Sequence, residues 1–360
     1  MKKLLLLACL ACCSILKGYS QHIQSDSLKS VDTLNHKKYE FSVMPYISYN
    51  RNLEFMFGAI PMFMYKLDKD DTVSNKSISG MSAVYTTNGS YFIALFNKWF
   101  YKEDTWRGKF FVLNGDKNSQ TYLSEDIEIP DFYDYGTKIT VVSAGVQRKI
   151  IDHLYGGLTY TYAHYDTNYE DEVAPEDITQ TNAIELNTLY DSRNEVYYPT
   201  NGSKALLRYI AYPTWFGNDV KANKILSEYN TYIPMKNGKD VIAARFAGKF
   251  GLGDIAFQQQ VTIGQKDIRG YSEGKYRGDG LIALQGEYRY NFGEKMGLVG
   301  FAGIATLYGS DTEDFNWKAY PGVGVGYRYR AFKAVKFNIG LDAAVGKDDW
   351  GVYFRIGESF

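Results

Sequence analysis

The residues in this sequence that could do chemistry are few and widely separated. His164 and Asp166 share a face of one alternating segment, a pair that a surface protease or lipase could use for general acid–base work and that ordinary exposed side chains explain equally well. Glu170, Asp171, Glu172, Glu176 and Asp177 gather carboxylates that could draw a divalent cation, but their uneven spacing is that of a solvated loop and not of a calcium loop. No G-x-S-x-G turn occurs. The three cysteines, Cys9, Cys12 and Cys13, all lie near the start, so the remainder offers no thiolate for catalysis, metal or disulfide. The expectation is a protein that is not an enzyme and that takes no cofactor and no metal. The residue that asks for an explanation is Arg269. It stands in the flexible "IRGY" (Ile268, Arg269, Gly270, Tyr271), directly ahead of "LIALQGEYRYNF", which hides Glu287 on one face and shows Tyr288, Tyr290 and Phe292 on the other. The residues alone are satisfied by an Arg269 in an ordinary solvated loop.

Strands must position these side chains. In 281–292 Ile282, Leu284, Tyr288, Tyr290 and Phe292 oppose Gln285, Glu287, Arg289 and Asn291. In 335–345 Val335, Phe337, Ile339 and Leu341 oppose Lys336, Asn338 and Asp342, and in 320–332 Val323, Val325, Tyr327 and Tyr329 oppose Gly322, Gly324, Gly326, Arg328 and Arg330. One face is charged and the other aromatic. A lipid-embedded barrel needs that arrangement, whereas a secreted β-sandwich would turn its apolar face inward. Sixteen such segments run from 40–50 to 350–360, an even number as a bacterial barrel requires. Short turns such as "PTNG" and "MKNGK" alternate with longer acidic loops at 116–135, 168–179 and 255–280.

Composition agrees. The 32 tyrosines, 21 phenylalanines and 34 glycines against 8 prolines suit strands and tight turns, and a net charge of -1 gives no field for nucleic acid. No apolar run beyond the start reaches the roughly 18 residues of a membrane helix. Lys2 and Lys3 followed by "LLLLACLACCSIL" and small residues Gly18 and Ser20 predict an export signal over 1–20, with a lipoprotein box as the competing reading. Residues 21–39 form a short polar periplasmic segment, and 40–360 the barrel.

Four motifs, "YDSRNEVYYPTNGS" (190–203), "IRGY" (268–271), "GEYRYNF" (286–292) and "FRIGESF" (354–360), resemble in order and spacing those of the bacterial surface antigen family, the barrels of the BamA/TamA assembly factors and the two-partner secretion transporters. The resemblance implies a sixteen-stranded antiparallel all-β transmembrane barrel in the outer membrane with an inward-folded extracellular loop. It implies that Arg269 reaches Glu287 inside the lumen, with Gly270 allowing a sharp turn and Gly322, Gly324 and Gly326 leaving the facing wall bare. Pro199 and Gly202 then serve a periplasmic hairpin turn. "FRIGESF" resembles a terminal assembly signal ending at Phe360, with Phe354 and Ile356 on the lipid-facing parity. Closure requires the first strand to pair with the last, and Pro45 and Gly357 weaken that seam.

Two departures qualify the match. "VGFAGIATLY" lacks the second acidic residue usual in the family, so Arg269 is held by one carboxylate or partly by Asp342. The family's periplasmic POTRA repeats do not precede the barrel, which puts substrate handling in question. The implied function is insertion or translocation of proteins at the outer membrane. Its partners are lipid, unfolded outer-membrane or surface proteins, and a periplasmic or membrane protein that supplies substrate capture. A passive pore or structural barrel is the alternative.

Overall fold

The computed structural model describes residues 39–360 except 51, 124–130, 171–175, 196–197, 220, 265, 273, 294 and 331–337. The expected export signal and nearly all of the 21–39 segment, with all three cysteines, lie outside the described residues, as do Asp171 and Glu172. Sixteen strands form one antiparallel sheet in which sequence neighbours pair. They are β1 (Tyr39–Asn50), β2 (Glu54–Tyr65), β3 (Ser77–Thr86), β4 (Tyr91–Tyr101), β5 (Trp106–Leu123) and β6 (Asp131–Ile151). Next come β7 (Leu154–Tyr169), β8 (Asp177–Asp191), β9 (Gly202–Tyr212), β10 (Ala222–Met235) and β11 (Asp240–Gly253). The sheet ends with β14 (Gly280–Asn291), β15 (Met296–Tyr308), β16 (Tyr320–Arg330), β17 (Asn338–Gly346) and β18 (Asp349–Ile356). Between β11 and β14 the chain leaves the wall and makes a small hairpin of its own, β12 (Val261–Thr262) with β13 (Arg277–Gly278).

The alternation read in the sequence is the alternation of environments. Leu284, Tyr288, Tyr290, Phe292, Val325 and Tyr327 are exposed on the outside, while Gln285, Glu287, Arg289, Arg328 and Asp342 are buried on the inside. A soluble sheet would reverse this pattern; a sheet solvated by lipid cannot, because ionised groups are tolerated only where they line the interior.

Loop lengths differ from the sequence expectation. The β5–β6 ladder continues without a break to Leu123↔Asp131, so most of the expected 116–135 loop is strand, and β7 and β8 likewise run into 168–179. These extensions mix polar side chains with scattered aromatics and lose the clean alternation, which reads as loop in the sequence. Their inner residues are nevertheless enclosed: Ser119 and Thr121 are buried, and the Thr121 hydroxyl approaches the Gly274 carbonyl of the inserted segment at 3.5 Å.

The expected pairing of the first and last strands is also corrected. Among the described residues no backbone ladder joins β1 to β18; they stand at the two ends of the sheet order, bridged by a hydrogen bond from the Ser48 hydroxyl to the Phe354 carbonyl at 3.2 Å. Two local features accompany the gap. Pro45, with no N–H, sits within β1, and β18 stops at Ile356 because Gly357 takes a φ of 90° and turns the chain inward. The barrel is closed except along this seam.

Candidate functional site in the barrel lumen

The 254–279 segment is held in the barrel by its scattered apolar side chains. Val261, Ile263, Ile268, Tyr271 and Tyr276 pack on Ala247, Leu281, Ala283, Ala305, Leu307 and Tyr320 of the wall. That contact places "IRGY" at the deepest point. Arg269 is buried and its guanidinium is fully enclosed. Its Nε donates to Gln285 Oε1 at 2.9 Å, Nη1 to Asp342 Oδ2 at 2.7 Å and Nη2 to Glu287 Oε2 at 3.0 Å. The plane of the guanidinium lies on the Phe301 ring, 3.3 Å from its centroid. A charge without water needs this degree of pairing, since breaking a buried ion pair on one side costs several kcal/mol. Planar, forked donors matched to two carboxylates and an amide favour arginine over lysine.

The neighbours of Arg269 are fixed by close approach. Gly270 has a φ of 111°, and a Cβ there would stand 2.6 Å from the Val345 carbonyl carbon. Its N–H donates to the Tyr353 hydroxyl of β18 at 2.9 Å. The Tyr271 hydroxyl donates to the Pro321 carbonyl at 2.5 Å and accepts from the Lys347 N–H at 3.1 Å. Ser272 donates twice to Asp349, the first residue of β18. The three wall glycines divide their roles. A Cβ on Gly322 would meet the Arg269 carbonyl oxygen at 2.2 Å, so this residue alone of the three touches the inserted tip. Gly324 makes room for the Phe301 ring that carries Arg269, and Gly326 for the Asp342 carboxylate.

Below Arg269 the charges continue. Glu287 also pairs with Arg289 at 2.6 Å, and Asp342 with Arg328 at 2.5 Å and Arg355 at 3.0 Å. Arg289 and Arg328 both reach Glu358, at 3.8 and 3.0 Å. Residues 357–360 therefore do not extend β18 as expected but lie in the lumen. Phe360 packs on Tyr232, Val241 and Ala243, and its carbonyl accepts from Arg289 Nη2 at 2.9 Å. Phe354 keeps the outward parity; the Ile356 side chain is outside what the structure describes. Pro199 is buried under the barrel, where its carbonyl accepts from Arg289 Nη1 at 3.3 Å, and Gly202 begins β9 with a φ of 96°.

Sequence reasoning did not single out Gln285, Phe301, Arg355 or Glu358 for this site, nor Gly346, whose Cβ would collide with the Tyr271 ring at 2.4 Å. Arg289 and Arg328 were legible as inward by parity, but not their partners. A second ionic group anchors the segment on its other side: Asp267 accepts from Arg245 at 2.8 Å and pairs with Lys249 at 2.5 Å. Burial alone would raise the Asp267 pKa; Lys249 and Arg245 hold it below the ordinary carboxylate range. His164 and Asp166 lie on the outer face, where Asp166 pairs with Lys138 at 3.6 Å and accepts from Asn168 at 3.1 Å. Among the described residues no group of side chains is arranged to hold a metal ion.

Residues 75–360 match the model of the Omp85 superfamily domain. No curated protein matches the sequence. Among solved structures, BamA from Haemophilus ducreyi lacking POTRA domains 1–3 superposes with a TM-score of 0.61 at 13% identity, over 90% of this chain and 74% of that one. CdiB from Escherichia coli gives 0.62 at 9% identity over 88% and 63%, and CdiB from Acinetobacter baumannii 0.59 at 12% over 89% and 60%. The chain thus spans about six-tenths of the CdiB structures. Identities this low speak for the shared sixteen-stranded architecture.

Proposed function

The chain belongs to the Omp85 superfamily of outer-membrane barrels, and from that premise we propose that it assists the insertion or translocation of polypeptides at the outer membrane, working with a partner protein that presents them. One observation carries the reading: the seam between β1 and β18 has no backbone ladder, while the lumen beside it is closed by a segment bonded to β18 itself. An edge with unpaired N–H and C=O groups is costly against lipid and is a template for an added strand. A plugged lumen with an open edge suits a machine that handles strands at its side.

A passive pore is the second reading, and it too has support. Lys98 of β4 and Lys109 of β5 face each other on the inner wall, both exposed, so part of the lumen away from the inserted segment is wet and polar.

The two readings are separated by locking the seam. Cysteines placed at Ile47 and Phe354, on the outer face beside the Ser48–Phe354 contact, would form a disulfide across it. The oxidised protein is expected to lose its support of outer-membrane protein levels in cells where deletion gives a defect, and the reduced protein to keep it. Equal support in both states would remove seam opening from the mechanism.

A further inference from the structure

The charges inside the lumen close on themselves. Arg269 contacts Glu287, Glu287 contacts Arg289, and Arg289 contacts Glu358. Glu358 contacts Arg328, Arg328 contacts Asp342, and Asp342 returns to Arg269. The six alternate in sign around the ring, and every member has a side chain at most 4% exposed. They come from three separate pieces of chain: the inserted segment contributes Arg269, the wall contributes four, and residues 357–360 contribute Glu358. Arg269 and Glu358 share no direct hydrogen bond or ion pair among those described, yet each closes a gap between the same two wall pairs.

We propose that the inserted tip, this ring and residues 357–360 are one latch, with Glu358 as a positioning residue for the tip, so that the tip and the tail leave the lumen together or not at all. Withdrawing Glu358 leaves Arg289 and Arg328 facing each other across an enclosed space with Arg355 adding a further positive charge beside Asp342. The wall then repels the incoming Arg269 where it previously balanced it, because like charges are poorly screened in a site without water. Withdrawing Arg269 removes a cation from between Glu287 and Asp342, which frees Arg289 and Arg328 to draw fully onto those carboxylates and loosens their hold on Glu358. Among the described residues the tail's other polar ties are the Asn338 amide to Glu358 at 2.6 Å, the Gly357 N–H to the Asn338 carbonyl at 2.7 Å and the Arg289 bond to the Phe360 carbonyl. Because residues 357–360 follow directly on β18, the latch ties the inserted segment to the strand that borders the open seam. It deepens the insertion reading and rests on it only for the purpose of the movement.

Hydrogen exchange of the purified, full-length barrel, read by mass spectrometry, tests the coupling without any insertion assay, so failure of the latch and failure of the functional reading are separate results. Glu358→Gln is expected to speed exchange across 266–272 roughly tenfold although it touches none of those residues, and Arg269→Ala to do the same for peptides ending at 360. The long β5–β6 ladder serves as the internal reference and keeps its protection. Lys138→Gln, which breaks a pair with Asp166 on the outer face, changes neither segment. Should Glu358→Gln fail to assemble, Asn338→Ala removes one bond to Glu358 and no charge, and is expected to raise exchange in 266–272 by a smaller factor. Substitutions that speed exchange only in the segment carrying them overturn the proposal.

Discussion

Replacing Arg269 by alanine deletes three charge-assisted hydrogen bonds and the stacking on Phe301. At ~1.5–3 kcal/mol each the bonds set a ceiling of ~5–9 kcal/mol. The actual cost is lower, because Glu287 keeps Arg289 and Asp342 keeps Arg328 and Arg355, so neither carboxylate is stranded, and the burial cost of the guanidinium disappears with it. A net loss near ~3 kcal/mol in docking of the segment raises its undocked fraction by about two powers of ten. Two assays read that fraction. Trypsin added to the purified barrel should cut the variant within 254–279, at Lys266, Lys275 or Arg277, about a hundredfold faster, provided opening is fast relative to cleavage. In planar bilayers the parent should show low, irregular conductance and the variant larger and longer openings. Arg269→Lys keeps the charge but not the fork, and should fall between. Parent-like cleavage and conductance from Arg269→Ala would mean that the apolar packing of Ile268 and Tyr271 holds the segment unaided; large steady currents from the parent would mean that the segment does not close the lumen at all.

Further outcomes follow from single contacts. Gly270→Ala meets both a positive φ and the Val345 backbone, a strain of about 1–3 kcal/mol, and should raise the same tryptic cleavage while leaving the wall's thermal unfolding nearly unchanged. Gly322→Val pushes against the Arg269 carbonyl and should act like Arg269→Ala, whereas the same change at the outward-facing Gly286 should be silent. Phe360→Ala empties its seat on Tyr232 and Val241 and should lower the melting temperature of the barrel in detergent by an amount corresponding to about 2–3 kcal/mol. In the β2–β3 turn burial would raise the Asp71 carboxyl, but the Ser74 hydroxyl and the amides of Ser74, Glu103 and Val73 outweigh it and bring it from 3.8 to about 2. Its folded pKa is the lower one, so its contribution is present above the unfolded value and is lost as pH falls through about 2; protection of 66–76 against hydrogen exchange should drop over that range in the parent and stay flat in Asp71→Asn.

The sequence alone determined the wall. Period-two alternation sorts strand residues at lipid depth to lipid or lumen, so the outward Tyr288 and Tyr327, the inward Glu287, Arg289 and Asp342, and the strand number were all legible in the sequence. Parity is a local property, and a chain that must alternate carries it in each short segment. Loop limits were less legible, because beyond the lipid polar residues fall on both faces of β5 and β6 and alternation no longer marks a strand. That Arg269 points inward came from a resemblance and not from its own surroundings in sequence.

Only the tertiary structure decided which charges meet. Arg269 and Asp342 are 73 positions apart, and nothing in either neighbourhood encodes the other; the register of β14 through β17 and the depth reached by the inserted segment bring them to 2.7 Å. The fate of "FRIGESF" was decided in the same way. Its alternation continues as a strand would, but Gly357 turns it, and the positive lumen wall of Arg289 and Arg328 captures Glu358 with Phe360 behind it. Pairing across the lumen depends on where several strands end in space, and that is a quantity no single segment of sequence contains.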